Sequence, residues 1–186
     1  MKVNNDGITL PELLVSMAII SVLISMSLPS YTPLVNQHNG DRVMSTLTSA
    51  LNTARSAAIR HGSSVTVCPS INGLSCSGTW SEGLVIFLDP ERDRKAPEGN
   101  SRLFAVQWSD SNGELRWRAF GNRQYLQIDA LGSLGHQNGN FTWCPASGEP
   151  RQARQLIINS LGRIRYAEDI NGDGYRQDSQ GQKLQC

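Results

Sequence analysis

The sequence has little net charge, few histidines and no recognisable catalytic motif. Seventeen Lys and Arg residues face 16 Asp and Glu residues, which leaves a formal charge of +1, so no overall field selects an acidic or basic partner. The three histidines, His38, His61 and His136, are far apart, and no recognisable serine, cysteine or carboxylate motif surrounds them. These absences predict that the protein is not an enzyme.

Cysteine is scarce, and all four cysteines follow the one long apolar run. Their spacing contains no C-x-x-C knuckle and no histidine lies beside them, which argues against a zinc site. An even number of cysteines in an exported chain predicts two disulfides, although three connectivities are possible. The Asn-Gly pair at 72–73 favours a tight turn that would close a small disulfide loop. The cysteines are Cys68, Cys76, Cys144 and Cys186.

The apolar run covers residues 8–28, directly after a short polar segment of residues 1–7. About 20 apolar residues suffice to cross a bilayer, so the run predicts a transmembrane helix. Glu12 interrupts it, and an ionised carboxylate in a membrane span needs a partner. Two simpler interpretations are a signal anchor and an ordinary secretory signal, for which Ser25–Ser27 would supply the small residues at the cleavage site.

This N-terminus resembles that of type IV pilins and type II secretion pseudopilins. The resemblance implies that prepilin peptidase cuts between Gly7 and Ile8, so that Glu12 becomes the fifth residue of the mature chain. Its carboxylate would then meet the new Ile8 ammonium of a neighbouring subunit, which neutralises both charges during assembly. Pro29 stands where many pilins carry a proline that kinks the helix.

The remaining residues predict one globular head on a helical stem. Apolar residues recur at three- and four-residue steps within residues 29–62, which indicates an amphipathic continuation of the helix with Gly62 as its C-cap. Residues 63–186 contain short β-rich runs between turn residues, which predicts an antiparallel sheet packed on the helix. The runs are 65–67, 84–88, 103–106, 115–119, 141–143 and 156–158.

Several strings resemble the GspH/FimT family of minor pilins and pseudopilins. They are residues 54–62, 65–70 and 80–87, together with Leu161-Gly162-Arg163-Ile164-Arg165, which matches a G-R-x-R element of FimT-like minor pilins. The resemblance implies an α+β type IV pilin fold, with a long N-terminal helix packed on an antiparallel β-rich head. It also implies a subunit that initiates or caps a pilus fibre, rather than the abundant shaft subunit.

The same resemblance implies DNA binding in natural transformation. Residues 115–166 hold seven arginines against two acids. Arg163 and Arg165 would leave one face of an extended segment, where guanidinium groups can hold the phosphates of double-stranded DNA. Arg151 and Arg154 would widen this patch if the fold brings their loop alongside. Alternatively, these arginines lie on a solvated sheet face or pair with acids of the tail.

The acidic tail has a second interpretation as a weak calcium site. Asp169, Asn171 and Asp173 reproduce the first half of a calcium loop of the D-x-N-x-D-G type. Gln180 replaces the expected glutamate, and Asp178 is a possible substitute ligand. The same residue types also suit an ordinary turn. No other cofactor is expected.

The resemblance also implies a set of partners and a location. The partners are prepilin peptidase, the inner membrane, the major pilin and other minor pilins. The head would lie in the periplasm before assembly and in the surface fibre afterwards. Two alternatives remain open, namely a GspH-like pseudopilin of a type II secretion system and a structural pilus-tip subunit that binds no DNA.

Overall fold

The computed structural model describes residues 9–27, 31–96, 102–108 and 112–186. The chain divides into two units, Met1–Val35 and Asn36–Cys186. The predicted cleavage site at Gly7 and Ile8, and the predicted kink at Pro29, lie outside the described residues.

Helix α1, Leu10–Ser27, belongs to the first unit. Glu12 lies exposed in its first turn, and the large apolar side chains along the helix are exposed as well, from Leu10 to Ile24. Among the residues that the structure describes, no helix is long and apolar enough to be a candidate membrane span. The transmembrane segment therefore stays a prediction from the sequence.

Helix α2, Tyr31–His61, contributes its apolar face to the core from Val43 onward. It ends where the sequence predicts, because Gly62 adopts a positive φ of 58°. The Gly62 amide donates to Ile59 O and the Ser63 amide donates to Ala58 O, which is the hydrogen-bond pattern of a Schellman cap.

The described residues form eight strands. In chain order they are β1 Val65–Pro69, β2 Gly83–Leu88, β3 Arg102–Gln107, β4 Gly113–Ala119, β5 Leu126–Ile128, β6 Gly139–Pro145, β7 Arg154–Ile158 and β8 Ile164–Tyr166. One antiparallel sheet has the order β3-β2-β1-β5, and a second has the order β4-β6-β7-β8. The α+β class and the antiparallel pairing agree with the prediction.

The prediction of a single sheet is wrong, because β4 and β5 do not pair although they follow each other in the chain. Between them lies a short turn, Phe120–Asn122, in which Gly121 and Asn122 have φ values of 72° and 53°. This turn redirects the chain, and β5 pairs with β1 in the other sheet. Strands β5 and β8 have only three residues each, too few to show an alternating pattern.

The core lies between α2 and the inward faces of both sheets. Three of the four tryptophans are buried there, and the ring of Trp80 packs edge-on against Phe141 with centroids 4.8 Å apart. Trp117 lies 4.4 Å from the same phenylalanine ring. Burial of each such large side chain stabilises the head by about 2–3 kcal/mol.

Candidate functional site

The hairpin between β7 and β8 holds the G-R-x-R element in a defined turn. Asn159 Oδ1 accepts the amide hydrogens of Leu161 and Arg163 at 3.1 and 2.8 Å. Gly162 has a φ of 74°, a conformation that suits glycine and few other residues. Its carbonyl accepts a hydrogen bond from Arg55 Nη1 of α2 at 3.2 Å, so the turn is attached to the helix.

The end of this turn and strand β8 present the two arginines of the motif to solvent. Ile164 is half-buried and packs against the core, whereas Arg163 and Arg165 are exposed. In the described part of the chain, no carboxylate lies within ion-pair distance of either guanidinium. Both guanidinium groups are therefore available to bind an external anion.

The carboxylates of the C-terminal tail are bonded to groups other than the two motif arginines. Asp169 accepts the amide hydrogens of Gly172 and Gly174, each at 2.8 Å. Asp173 pairs with Lys183 at 2.9 Å, and the hydrogen bond from that ammonium lowers the pKa of the Asp173 carboxyl. Asp178 accepts the amide hydrogens of residues 180 and 182. The alternative in which these acids neutralise the motif arginines has no contact to support it.

The residues predicted to bind calcium lie in two separate turns. Asn171 donates to Asp173, and Asp169 closes the 169–174 turn through backbone amides, while Asp178 closes the next turn. Within the ranges that the structure covers, no three His, Cys, Asp or Glu residues are grouped closely enough to hold a metal ion. The calcium site remains a prediction from the motif alone.

Arg154 does not belong to the exposed patch. It points to the inward face of β7, where only 8% of its side chain is accessible, and its Nε donates to Asp41 Oδ1 of α2 at 2.6 Å. Its Nη1 also donates to the carbonyls of Gln152 and Ala153. The expectation that Arg154 widens the patch is therefore wrong, because strand alternation places it opposite to Arg163 and Arg165.

Arg151 is exposed but lies beyond the other end of β7, in the short turn Pro150–Gln152. Its guanidinium stacks on the ring of Tyr175, 4.9 Å from the centroid. At about 3.3 Å per residue, the length of β7 separates it from the hairpin. Of the four predicted arginines, the structure thus brings together only Arg163 and Arg165.

Both predicted disulfides are formed, Cys68–Cys76 and Cys144–Cys186. The second attaches the C-terminal tail to β6, and Leu184 of the tail packs with Ala153 and Ala167 in a small apolar cluster. The tail is thereby held against the second sheet.

One further arginine reaches this surface, and sequence reasoning did not assign it. In the second sheet Arg118 of β4 is paired with Asn140, Asn140 with Ile157, and Ile157 with Arg165. Directly paired residues of antiparallel strands point to the same face. Arg118 is exposed and stands three strand spacings, about 14 Å, from Arg165.

Arg116, its neighbour on the same face, is already paired. Its Nη2 lies 2.6 Å from Glu114 Oε2, and this hydrogen bond holds the pKa of the Glu114 carboxyl below its usual range. The signal that could have identified Arg118 is the alternation of β4, in which Leu115 and Trp117 are buried and the arginines between and after them are not.

Two family models match this sequence. The family model described as type II transport protein GspH matches residues 44–162, and the model of the prokaryotic N-terminal methylation motif matches residues 2–28. No curated protein is significantly similar in sequence.

Two crystal structures of the type IV minor pilin FimU from Pseudomonas aeruginosa, strain PAO1, are similar in structure. Each is 18% identical to this chain. One gives a TM-score of 0.47 and covers 69% of this chain and 92% of its own. The other gives 0.49 and covers 73% and 92%.

Proposed function

Since the chain belongs to the GspH family and carries the N-terminal methylation motif, it is a minor type IV pilin or pseudopilin, and we propose that it initiates or caps a type IV pilus fibre that captures DNA. In this proposal, prepilin peptidase cuts between Gly7 and Ile8. The processed helix is anchored in the inner membrane until Glu12 pairs with the N-terminus of a neighbouring pilin. The head then reaches the cell surface with the fibre.

The observation that carries the DNA proposal is the pair of uncompensated arginines at the hairpin. Arg163 and Arg165 are exposed, and none of the carboxylates of the described residues pairs with them. Guanidinium groups hold phosphate oxygens in forked geometry, and each phosphate that is neutralised releases counterions. Arg118 extends this positive surface across the sheet, so the contact would be salt-sensitive and independent of sequence.

A second candidate is a pseudopilin of a type II secretion system, which the description of the matching family model favours. A pseudopilin shares the leader, Glu12 and the fold, and assembles into a short periplasmic fibre. A structural tip subunit without DNA binding would share them as well. The first candidate differs from the other two in that its arginine surface binds nucleic acid.

The test is a titration of the full chain, in nonionic detergent, with labelled duplex DNA at several salt concentrations. We expect the Arg163→Gln/Arg165→Gln variant to bind at least about tenfold more weakly at low salt. The slope of its plot of log affinity against log salt concentration should fall by the amount expected for the loss of about two phosphate contacts. The matched control is Arg42→Gln/Arg60→Gln, which removes two exposed arginines from α2 and should leave the affinity within about twofold.

The outcomes separate the candidates. Selective loss in the hairpin variant supports a DNA-capturing pilus subunit. Equal losses in both variants would mean that net charge, and not this site, attracts DNA. If the folded wild-type chain binds no duplex at low salt, the DNA proposal fails, and the secretion and structural candidates remain.

A further inference from the structure

The strand pairing of the second sheet continues past the row of paired residues that joins Arg118 to Arg165. The Phe120 amide donates to Asn138 O at 3.1 Å, and the Asn159 amide donates to Arg163 O at 3.1 Å. Phe120, two residues after Arg118, therefore continues the register of β4, and its side chain lies on the same outward face as that of Arg118. At the opposite edge of the sheet, Arg163 lies two residues before Arg165 and likewise continues the register on the outward face.

A groove of about 650 Å³ lies on this face between the Phe120 turn and Arg165 of β8. Gly139 and Ile157 line it, and the amides of Asn138 and Asn140 border it together with Arg165. In the described ranges, neither asparagine donates its Nδ2 hydrogens to another protein group. The groove thus offers amide donors between the aromatic ring of Phe120 at one side and the guanidinium group of Arg165 at the other.

Phe120 has an unusual position for a phenylalanine. It is 71% exposed although the head has a large aromatic core. Its backbone is held by the bond to Asn138 and by the turn at Gly121 and Asn122, both with positive φ. Trp117 Nε1 donates to Arg123 O at 2.9 Å across the same turn. The ring is therefore presented on an anchored turn at the mouth of the groove.

These residues together match the chemistry of an unpaired nucleotide. We propose that this groove binds unpaired nucleobases of DNA, with one base stacked on Phe120; this inference rests on the proposed function. Arg118 and Arg165 would contact the flanking phosphates. An exposed aromatic ring beside cationic side chains is the arrangement that holds single strands, because every base offers a face for stacking. The amides of Asn138 and Asn140 can hydrogen-bond to base edges.

The ring discriminates between forms of DNA for a physical reason. Inside a duplex both faces of each base are already stacked, so Phe120 can contact a base only where it is unpaired or flipped out. The arginines contact phosphates of either form. Duplex binding thus depends on Arg163 and Arg165, whereas the additional affinity for a single strand depends on Phe120.

The test compares three labelled probes on the full chain in nonionic detergent: an oligothymidylate, an abasic strand of the same length, and a blunt duplex. The variant is Phe120→Leu, which keeps an apolar side chain but removes the aromatic face. We expect about a tenfold loss of affinity for oligothymidylate, the effect of one base stack. Affinity for the abasic strand and for the duplex should stay within about twofold. Phe120→Trp should restore binding of oligothymidylate.

Leu131→Ala is the matched control, because it truncates an apolar side chain that is 85% exposed in another loop; it should change no affinity. If Phe120→Leu leaves binding of oligothymidylate unchanged, or weakens binding of the abasic strand equally, the stacking proposal is overturned. The hairpin proposal would still stand on its own duplex titration. If the wild-type chain binds none of the three probes, both proposals fail.

Discussion

At the scale of single residues, the arginines of the second sheet have different roles although their chemistry is the same. Arg154 is buried on the inward face and paired with Asp41, and Arg151 stacks on Tyr175. Arg163 and Arg165 face solvent without a carboxylate partner among the described residues. A guanidinium that already has a partner contributes to stability, and one without a partner can bind an external anion.

Removal of Asp41 should destabilise the head without affecting DNA binding. In Asp41→Asn the buried Arg154 loses its counter-charge, which costs several kcal/mol for a fully buried pair. Because 61% of the Asp41 side chain is exposed, solvent screens the loss, and we expect about 1–2 kcal/mol. Urea unfolding of the full chain in detergent measures this change.

The control for that variant is Asp93→Asn, which breaks the exposed pair with Lys95 and should change the free energy of unfolding by less than about 0.5 kcal/mol. Equal effects of the two substitutions would show that the Asp41–Arg154 pair contributes no more than a surface pair. A change in duplex affinity on Asp41→Asn would contradict the separation between the inward and outward faces.

At the scale of elements, the decisive contact is the close approach of α2 to the second sheet. Gly40 is buried where α2 meets β6 and β7. A Cβ at this position would lie 2.7 Å from Cε3 of Trp143 and 3.0 Å from Cγ of Arg154. The missing side chain lets the helix backbone lie against the fully buried indole ring.

Gly40→Ala should therefore destabilise the protein although alanine favours helices. The better helix propensity is worth about 1 kcal/mol, but the new methyl group must displace a packed indole, at a cost of about 1–3 kcal/mol. We expect a net loss of about 1 kcal/mol in thermal or urea unfolding, the difference between the middle of that cost and the propensity gain.

The control for propensity alone is Asn52→Ala, at an exposed position of the same helix, which should stabilise slightly, by about 0.5 kcal/mol. If Gly40→Ala stabilises the head as well, the approach of α2 to Trp143 is looser than the structure indicates.

At the scale of the whole molecule, the two units of the chain differ in whether their large apolar side chains are buried. The main hydrophobic core is formed by residues of the second unit, 36–186. Helix α1 instead exposes its large apolar side chains. Such a helix needs an apolar environment, which in our proposal is first the membrane and then the other helices of the fibre.

Glu12→Gln should impair assembly and leave the head unchanged. Without the carboxylate, the N-terminal ammonium of a neighbouring subunit would remain unpaired in the apolar fibre interior, where an uncompensated charge costs several kcal/mol. We expect at least about a tenfold drop in the amount of this subunit in sheared fibres, measured by immunoblot in cells that carry the assembly machinery. Urea unfolding of the head should not change.

Ser16→Ala, one helical turn away on α1, is the matched control and should assemble normally. Normal incorporation of Glu12→Gln would contradict the assigned role of Glu12. A lowered unfolding midpoint would instead mean that α1 takes part in the stability of the head.

Much of this protein can be predicted from local patterns. The matching N-terminal motif, the end of α2 at Gly62, six of the eight described strands and the number of disulfides follow from residues that are near each other in sequence or from simple composition. The cysteine count alone left three disulfide connectivities open. Alternation along an extended segment was enough to place Arg163 and Arg165 on one face, because side chains on successive residues point to opposite sides.

The tertiary structure alone decided the composition of the site. Sequence reasoning grouped Arg154 with the motif because it lies nearby in the chain, yet its register places it on the inward face against Asp41. Arg118 and Phe120 lie more than 40 residues before Arg163, yet strand pairing brings them to the same surface. The physical reason is that periodicity within a strand determines only which of its side chains share a face. Which strands become neighbours, and which face the helix covers, depends on long-range pairing and packing.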